Sequence, residues 1–430
     1  MQNIAIRDVG KYIDAPIRLS GWIFRIRSSG KIHFLHLRDG SGEIQAIIDE
    51  GVVSQEIGDQ IRALTTESSV HIEGTIKKEP RAPSGYEIHA INLVIVHVAE
   101  NYPIGKKEHG PDFLLDMRHL WIRSPKQRAI LTIRDEVIWA LRSYFKEHNF
   151  RLTDTPILTP TSCEGTTTLF QTDYFGEPAY LSQSGQLYLE ALAMSLGRVY
   201  DFGPVFRAEK SKTRRHLTEF WMLDAEMTFC DYKQNIDVQE EIFQYVAKHV
   251  LATCAQELHI LERDTIKIEQ LTKPYVRMTY TQALDELRAL GSDIKDGKDF
   301  GNDDETMLMQ KYTIPVFVSR YPLAIKAFYM KPDPENSKYA LCSDLLLPEG
   351  YGEVSGGSQR IDDLKLLEEK IEEHKLSKTD FAWYIDLRRY GSVPHAGFGI
   401  GLERLVAFFC GLSHIRETIP FPRLINRLRP

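Results

Sequence analysis

The stretch VFRAEKSKTRRHLTEF, residues 205–220, gathers Arg207, Lys210, Lys212, Arg214 and Arg215 against Glu209 alone before a strand-like run resumes. Its flanks, YDFGPVF and TEFWMLDAEM, read as strands. A cationic loop between two strands suits a polyphosphate, because guanidinium forks pair with phosphate oxygens. Taken alone, such a run is more often a solvated basic hairpin with Phe220 in the core. A second element is GFGIGLERL, residues 397–405. Its alternating glycines leave a strand with little side chain, so a flat ligand can approach the backbone, and Arg404 falls in the first turn of the helix that follows. It matches neither the dinucleotide fingerprint nor a P-loop. A third is the carboxylate pair Asp344 and Glu353 in SDLLLPEGYGEVSGGS. Two oxygen ligands on turns would suit Mg²⁺ shared with nucleotide phosphates; by themselves they are more often two surface acids.

The elements that must hold these residues fall into two kinds. From residue 127 onward strands and helices alternate. Ile130, Ile133, Val137, Ile138, Leu141 and Phe145 recur at helical spacing, which predicts a helix ending near Asn149 and a strand up to Thr155-Pro156. Residues 363–375 are charge-rich at helical spacing, as a solvated helix face is. Residues 1 to about 100 instead read as five short strands separated by Gly-containing turns, the pattern of a small barrel. There Leu35 and Leu37 share one face, and so do Ile44, Ala46 and Ile48, which turns Phe34 and Gln45 outward. Residues 18–38 hold Arg18, Arg25, Arg27, Lys31 and Arg38 and no acid. An outward aromatic beside an amide and a basic rim suits unstacked bases; Phe34 on a strand buried on both sides is the other reading, and the pattern leaves both open. Residues 103–126 lack clean periodicity and read as a linker between a unit at 1–102 and one at 127–430.

The chain has 430 residues, enough for two or three domains, and a net charge of -7, which excludes a uniformly basic nucleic-acid coat. Five widely spaced cysteines without a CxxC pair argue against a disulfide framework and a structural zinc site and fit a reducing cytoplasm. The N-terminus has no apolar run of the signal-peptide kind, and no stretch approaches the ~20 apolar residues of a membrane span.

Taken in order, these segments resemble the class II aminoacyl-tRNA synthetases of the aspartyl/asparaginyl subgroup over nearly the whole chain. NFRLTDTPIL, with Pro156, looks like motif 1, FRAEKSKTRRHLTEF like motif 2 and GFGIGLERL like motif 3. The resemblance implies an α+β fold: an N-terminal OB barrel for the anticodon, and a catalytic domain built on an antiparallel sheet flanked by helices. It implies ATP and Mg²⁺, a homodimer through motif 1, and these roles. Arg207 would hold the α-phosphate and Arg404 the γ-phosphate of ATP. Phe220 and Arg404 would sandwich adenine. Glu209, Arg215, His216, Glu353 and Gly401 would complete the nucleotide site, and Asp344 and Glu353 would hold Mg²⁺. Phe34, Gln45 and Glu87 would meet the anticodon.

Within the subgroup, the segment LSQSGQLYLEA decides the amino acid. Aspartyl enzymes resemble QSPQxxK here, and the Lys pairs with the substrate carboxylate; this chain has Leu189 in that place. Losing the cation favours a neutral amide, which implies L-asparagine and tRNA(Asn) as substrates. Arg389 would donate to the amide carbonyl and Asp224 accept from its NH₂, although Asp224 also fits a structural acid. Glu164, Ser184 and Gln186 would hold the α-ammonium and neighbouring polar groups. The sequence departs from the asparaginyl pattern at Asp224, where that pattern has Glu. Three alternatives stay open: an aspartyl enzyme relaxed between tRNAs, an amidoligase making free asparagine on a related domain, and a nucleic-acid-binding regulator with a dead catalytic domain, which should have lost Arg207 or Arg404.

Overall fold

The computed structural model describes residues 1–430 apart from 83, 106, 162–167 and 212, so Glu164, Cys163 and Lys212 lie outside the described residues. Two compact units, Met1–Gly110 and Pro111–Pro430, make up the chain.

In the first unit, period-two alternation produces five strands, β1 (Pro16–Ser29), β2 (Ile32–Arg38), β3 (Glu43–Asp49), β4 (Ser69–Lys78) and β5 (Tyr86–His97). They close into a barrel in the order β1-β2-β3-β5-β4, with β3 and β5 parallel. A helix over Gln55–Arg62, capped by the Ser54 hydroxyl, lies in the chain between β3 and β4. The inward rows Leu35 and Leu37, Ile44, Ala46 and Ile48, and Val70, Ile72 and Ile76 fill the interior. Each such buried aliphatic side chain stabilises the barrel by about 1.5–3 kcal/mol.

The second unit is built on an eight-stranded sheet. Its strands lie in the order Val276–Thr279, Val316–Ser319, Cys342–Leu347, Gly352–Gln359, His395–Gly401, Glu219–Thr228, Arg198–Phe206 and Arg151–Leu152. The pairings in the middle are antiparallel, as expected, and only the outermost strand at each end pairs in parallel. The Pro125–Glu147 helix starts with Ser124 as cap and Pro125 in its first turn, where a missing N–H costs nothing. Ile130, Ile133, Val137, Leu141 and Phe145 pack into the main core together with the Tyr232–Thr253 and Leu402–Cys410 helices. The strand after Asn149 ends at Leu152, short of Thr155-Pro156. The 363–375 segment forms the Leu364–Glu373 helix, with only Leu367 and Ile371 buried.

The linker expected at 103–126 is corrected. From Pro111 the chain belongs to the second unit, with helices at Pro111–Asp116 and Arg118–Trp121. Their anchor is polar. Arg118 is buried, donating to the carbonyls of Pro420 (2.7 Å) and Ile419 (2.9 Å) and to Gln127 Oε1 (2.6 Å). Helices this short, with Leu115 and Arg118 as their buried residues, leave no hydrophobic period to read.

Candidate active site

A cavity of about 770 Å³ opens on the face of the second unit's sheet. The Glu219–Thr228 strand and the loop that leads into it from the Arg198–Phe206 strand form one wall. Arg207, one residue beyond the first strand, donates from Nη1 to the Gln183 carbonyl (2.5 Å), and its guanidinium lies 5.7 Å from the Phe220 ring centre. Glu209, Arg215 and His216 reach the cavity from the loop. Arg215 is held by Asn302 (3.0 Å), Glu305 (3.0 Å) and Thr306 (2.6 Å). Desolvation, with Arg404 nearby, lowers the His216 pKa and keeps its ring neutral.

Gly399 and Gly401 belong to the neighbouring strand, His395–Gly401, and Arg404 follows in the first turn of the next helix, donating to the Glu353 carbonyl. The bare strand is required: a Cβ on Gly399 would sit 2.6 Å from Asp224 Oδ1. The neighbour of Arg404, Glu403, turns inward to the Trp221 amide (3.0 Å) and Arg134 (2.8 Å).

Asp344 and Glu353 lie on adjacent strands, not on turns. They converge over Gly356, whose Cβ would lie 2.8 Å from Glu353 Oε1 and 3.4 Å from Asp344 Oδ1. Desolvation and the Asp344 charge push the Glu353 pKa up to about 8, with Arg404 opposing. With Glu353 reluctant to ionise beside the Asp344 charge, the pair is a donor set with an unmet demand for positive charge, which a divalent cation fits. Part of that demand is met by Lys326, 3.1 Å from Asp344 and 3.5 Å from Asp299.

The corner to which the sequence assigned the amino acid lies beside Arg207. Asp224 Oδ2 accepts from the Ser184 hydroxyl (2.8 Å) and the Gly185 amide (3.0 Å), and Ser184, Gln186 and Asp224 all line the cavity. Gly185 is needed here, since a Cβ would fall 2.0 Å from Asp201 Oδ2. Asp201 pairs in register with Asp224. Burial, with the Asp224 charge, pushes its pKa up to about 8.

Two expected residues are not brought to the site. Leu189 is fully buried and packs against Ala193 and Val199. On the Gln186–Leu196 helix, Gln186 and Glu190 share one face, and Leu189 is turned from Glu190 by about 100°. The argument for an amide substrate from Leu189 therefore falls. Arg389 is exposed and pairs with Asp386. In its place Arg360, at the end of the GYGEVSGGSQR segment, joins Arg207, Arg215 and Arg404 in lining the cavity, with Lys326 a second omission. Their signal was positional: Arg360 closes the strand that bears Glu353 and Gly356-Gly357.

On the barrel, Phe34 is half-buried and faces outward. It stands opposite Arg27 on one side and Ile47 on the other. Gln45 pairs with His36 and donates weakly to Glu87 (3.5 Å). His36 meets Phe24 edge-on at 5.6 Å, and burial with Arg25 and Arg27 lowers its pKa. Glu87 is buried and is further engaged by His89 (2.7 Å).

Residues 110–425 match the family described as tRNA synthetases class II (D, K and N), and residues 17–96 match an OB-fold nucleic acid binding domain. The chain is 54% identical over 430 residues to the asparagine--tRNA ligase of Pelotomaculum thermopropionicum and 53% identical over 430 residues to that of Desulforamulus reducens, covering 100% of each. Among solved structures, asparaginyl-tRNA synthetase from Pyrococcus horikoshii complexed with asparaginyl-adenylate is similar at TM-score 0.97 and 41% identity, with 100% of both chains covered.

Proposed function

The chain belongs to the class II tRNA synthetases of the D, K and N family, and we propose that it is the member that activates L-asparagine with ATP and transfers it to tRNA(Asn). The observation that carries this reading is one cavity that Arg207 and Arg404 line together with an amino-acid corner formed by Ser184, Gln186, Asp224 and Arg360. In the first step an α-carboxylate oxygen of asparagine attacks the α-phosphorus of ATP and pyrophosphate leaves. Arg207 stabilises the charge that builds on the α-phosphate, and Arg404 holds the far end of the triphosphate. Phe220 supplies the flat apolar surface for adenine, with Glu209, Arg215, His216 and Gly401 around the nucleotide. In the second step a hydroxyl of the terminal ribose of tRNA attacks the activated carbonyl and AMP leaves.

Asp344 and Glu353 would hold Mg²⁺, which supplies positive charge to the phosphates when bound. Arg360 donates to the substrate amide carbonyl, the role first expected of Arg389, and Asp224 accepts from the amide NH₂. A base stacked on Phe34, read by Gln45, would fix the anticodon; Glu87 acts by orienting Gln45. Among the described residues no helix is long and apolar enough to cross a membrane, and we place the enzyme in the cytoplasm. Exposed Leu152, Ile157 and Leu158 flank Pro156 and support a homodimer through this edge.

Aminoacylation of tRNA with asparagine and with aspartate tests the reading. Faster charging with aspartate overturns the choice of amino acid, and free asparagine formed without tRNA would favour an amidoligase.

A further inference from the structure

Behind the amino-acid corner lies a set of charges that neither step uses. Glu190 has no exposed surface. Its Oε2 accepts from Arg388 Nη2 (2.7 Å) and lies 3.0 Å from His395 Nε2, and the Tyr384 hydroxyl reaches both oxygens (2.8 and 2.7 Å). Its Oε1 accepts from Gln186 Nε2 (3.2 Å) and lies 3.9 Å from Arg360 Nε. Gln186 and Arg360 are cavity residues, so Glu190 touches the corner from behind through two of its members. Arg360 is also held by Glu226 (3.0 and 2.5 Å) and Ser358 (2.5 Å).

Two guanidinium groups, Arg360 and Arg388, thus face two carboxyl groups, Glu190 and Glu226. The carboxyls are not equivalent. Burial pushes the Glu226 pKa up to about 7, against the pull of Arg360. For Glu190, burial is outweighed by Arg388, His395 and Arg360, which hold its pKa well below the usual range. Glu190 is the permanent anion of the cluster.

We propose that Glu190 is a specificity-determining positioning residue, which compensates Arg360 so that the corner accepts a neutral amide and disfavours a carboxylate. An amide brought to Arg360 leaves the balance untouched. Aspartate adds an anion to a cluster that already has its counter-charge, in a site where charges are poorly screened. This rests on asparagine being the substrate, and it replaces the explanation once sought in Leu189.

The test is the ratio of kcat/KM for asparagine over aspartate in ATP–pyrophosphate exchange, with KM for ATP measured alongside. Glu190→Gln lowers the ratio by about tenfold or more. Arg388→Gln, which removes a cation from the same cluster, raises it. The double variant returns it toward the original value, and Glu190→Asp keeps it. Opposite signs from two neighbours are not what a merely structural role gives. An unchanged ratio in folded Glu190→Gln, or a shift in the same direction for both single variants, overturns the proposal. Should Glu190→Gln fail to fold, the sign of the Arg388→Gln shift decides. An unmodified protein that prefers aspartate overturns the proposed function itself, and that result is read before any variant is made.

Discussion

The outward face of the barrel and the cavity of the second unit use the same side-chain types on β-strands, yet they are built in opposite ways. On the barrel, exposed Arg25 and Arg27 and half-buried Phe34, His36 and Gln45 stand on strands whose alternate residues fill the interior. Each is placed by its own strand and the next, and water screens it. In and behind the cavity, Asp224, Arg360 and Glu226 are buried, and each is fixed by partners far away in sequence, such as the Arg360–Glu226 pair or the Ser184–Asp224 hydrogen bond. Weakly coupled groups are suited to taking up a mobile, sequence-tolerant strand by stacking. Coupled, desolvated groups are preorganised for charge that appears during reaction, and a change to one of them is felt by the others.

That contrast orders the expected effects. Arg207→Ala should lower ATP–pyrophosphate exchange by about 10²–10³ or more; near-normal exchange would show that the cavity is no more coupled than the barrel. Leu189→Lys should destabilise the protein by about 3 kcal/mol or more in denaturant titration, since it buries an unpaired charge. A stable variant with improved aspartate activation would mean that residue 189 reaches the cavity after all. Phe34→Ala should raise KM for tRNA by an amount corresponding to about 1–3 kcal/mol, with exchange, which needs no tRNA, reporting on the second unit separately. Equal damage to both assays would remove the distinction between the regions.

The pH dependence of stability tests the same coupling without a substitution in the substrate-binding residues. Asp201 and Glu353 are pushed up to about 8 and Glu226 to about 7, against about 4 when unfolded. A carboxyl whose folded pKa is raised binds its proton more tightly in the native state. Its stabilising contribution is complete below about pH 4 and lost as pH rises toward 8. Melting of the ligand-free protein should show that decline, and Asp201→Asn should flatten it; an unaltered slope would place the coupled proton elsewhere. Last, Arg389→Ala should cost less than about 1 kcal/mol and leave amino-acid activation as it was, since its partner is Asp386 on the surface. Loss of activation would restore it to the site.

Much of this was legible in residue order. Leu35 against Phe34, and Ile44 against Gln45, were placed correctly because strand alternation is local. Arg207, Phe220 and Arg404 come together because a hairpin and a strand–helix turn are short-range structures that a few residues specify. Leu189, Arg389 and the 103–126 segment failed for a common reason. Which face of a helix meets a cavity, and whether a short polar segment is docked, depend on neighbours absent from the segment itself. Arg388 and Arg389 are adjacent, and nothing in DLRRYG says which one turns inward to Glu190.

Spacing and residue type by themselves determined the barrel, the cationic hairpin, the bare glycine strand and the carboxylate pair, because each is set by interactions within a few residues or between neighbouring strands. Only the tertiary structure decided which charges share the low-dielectric space behind the amino-acid corner. Glu190, Arg360, Arg388 and His395 come from three separate stretches of chain, and their mutual burial, which sets their charge states and orientation, exists only once those stretches have packed together.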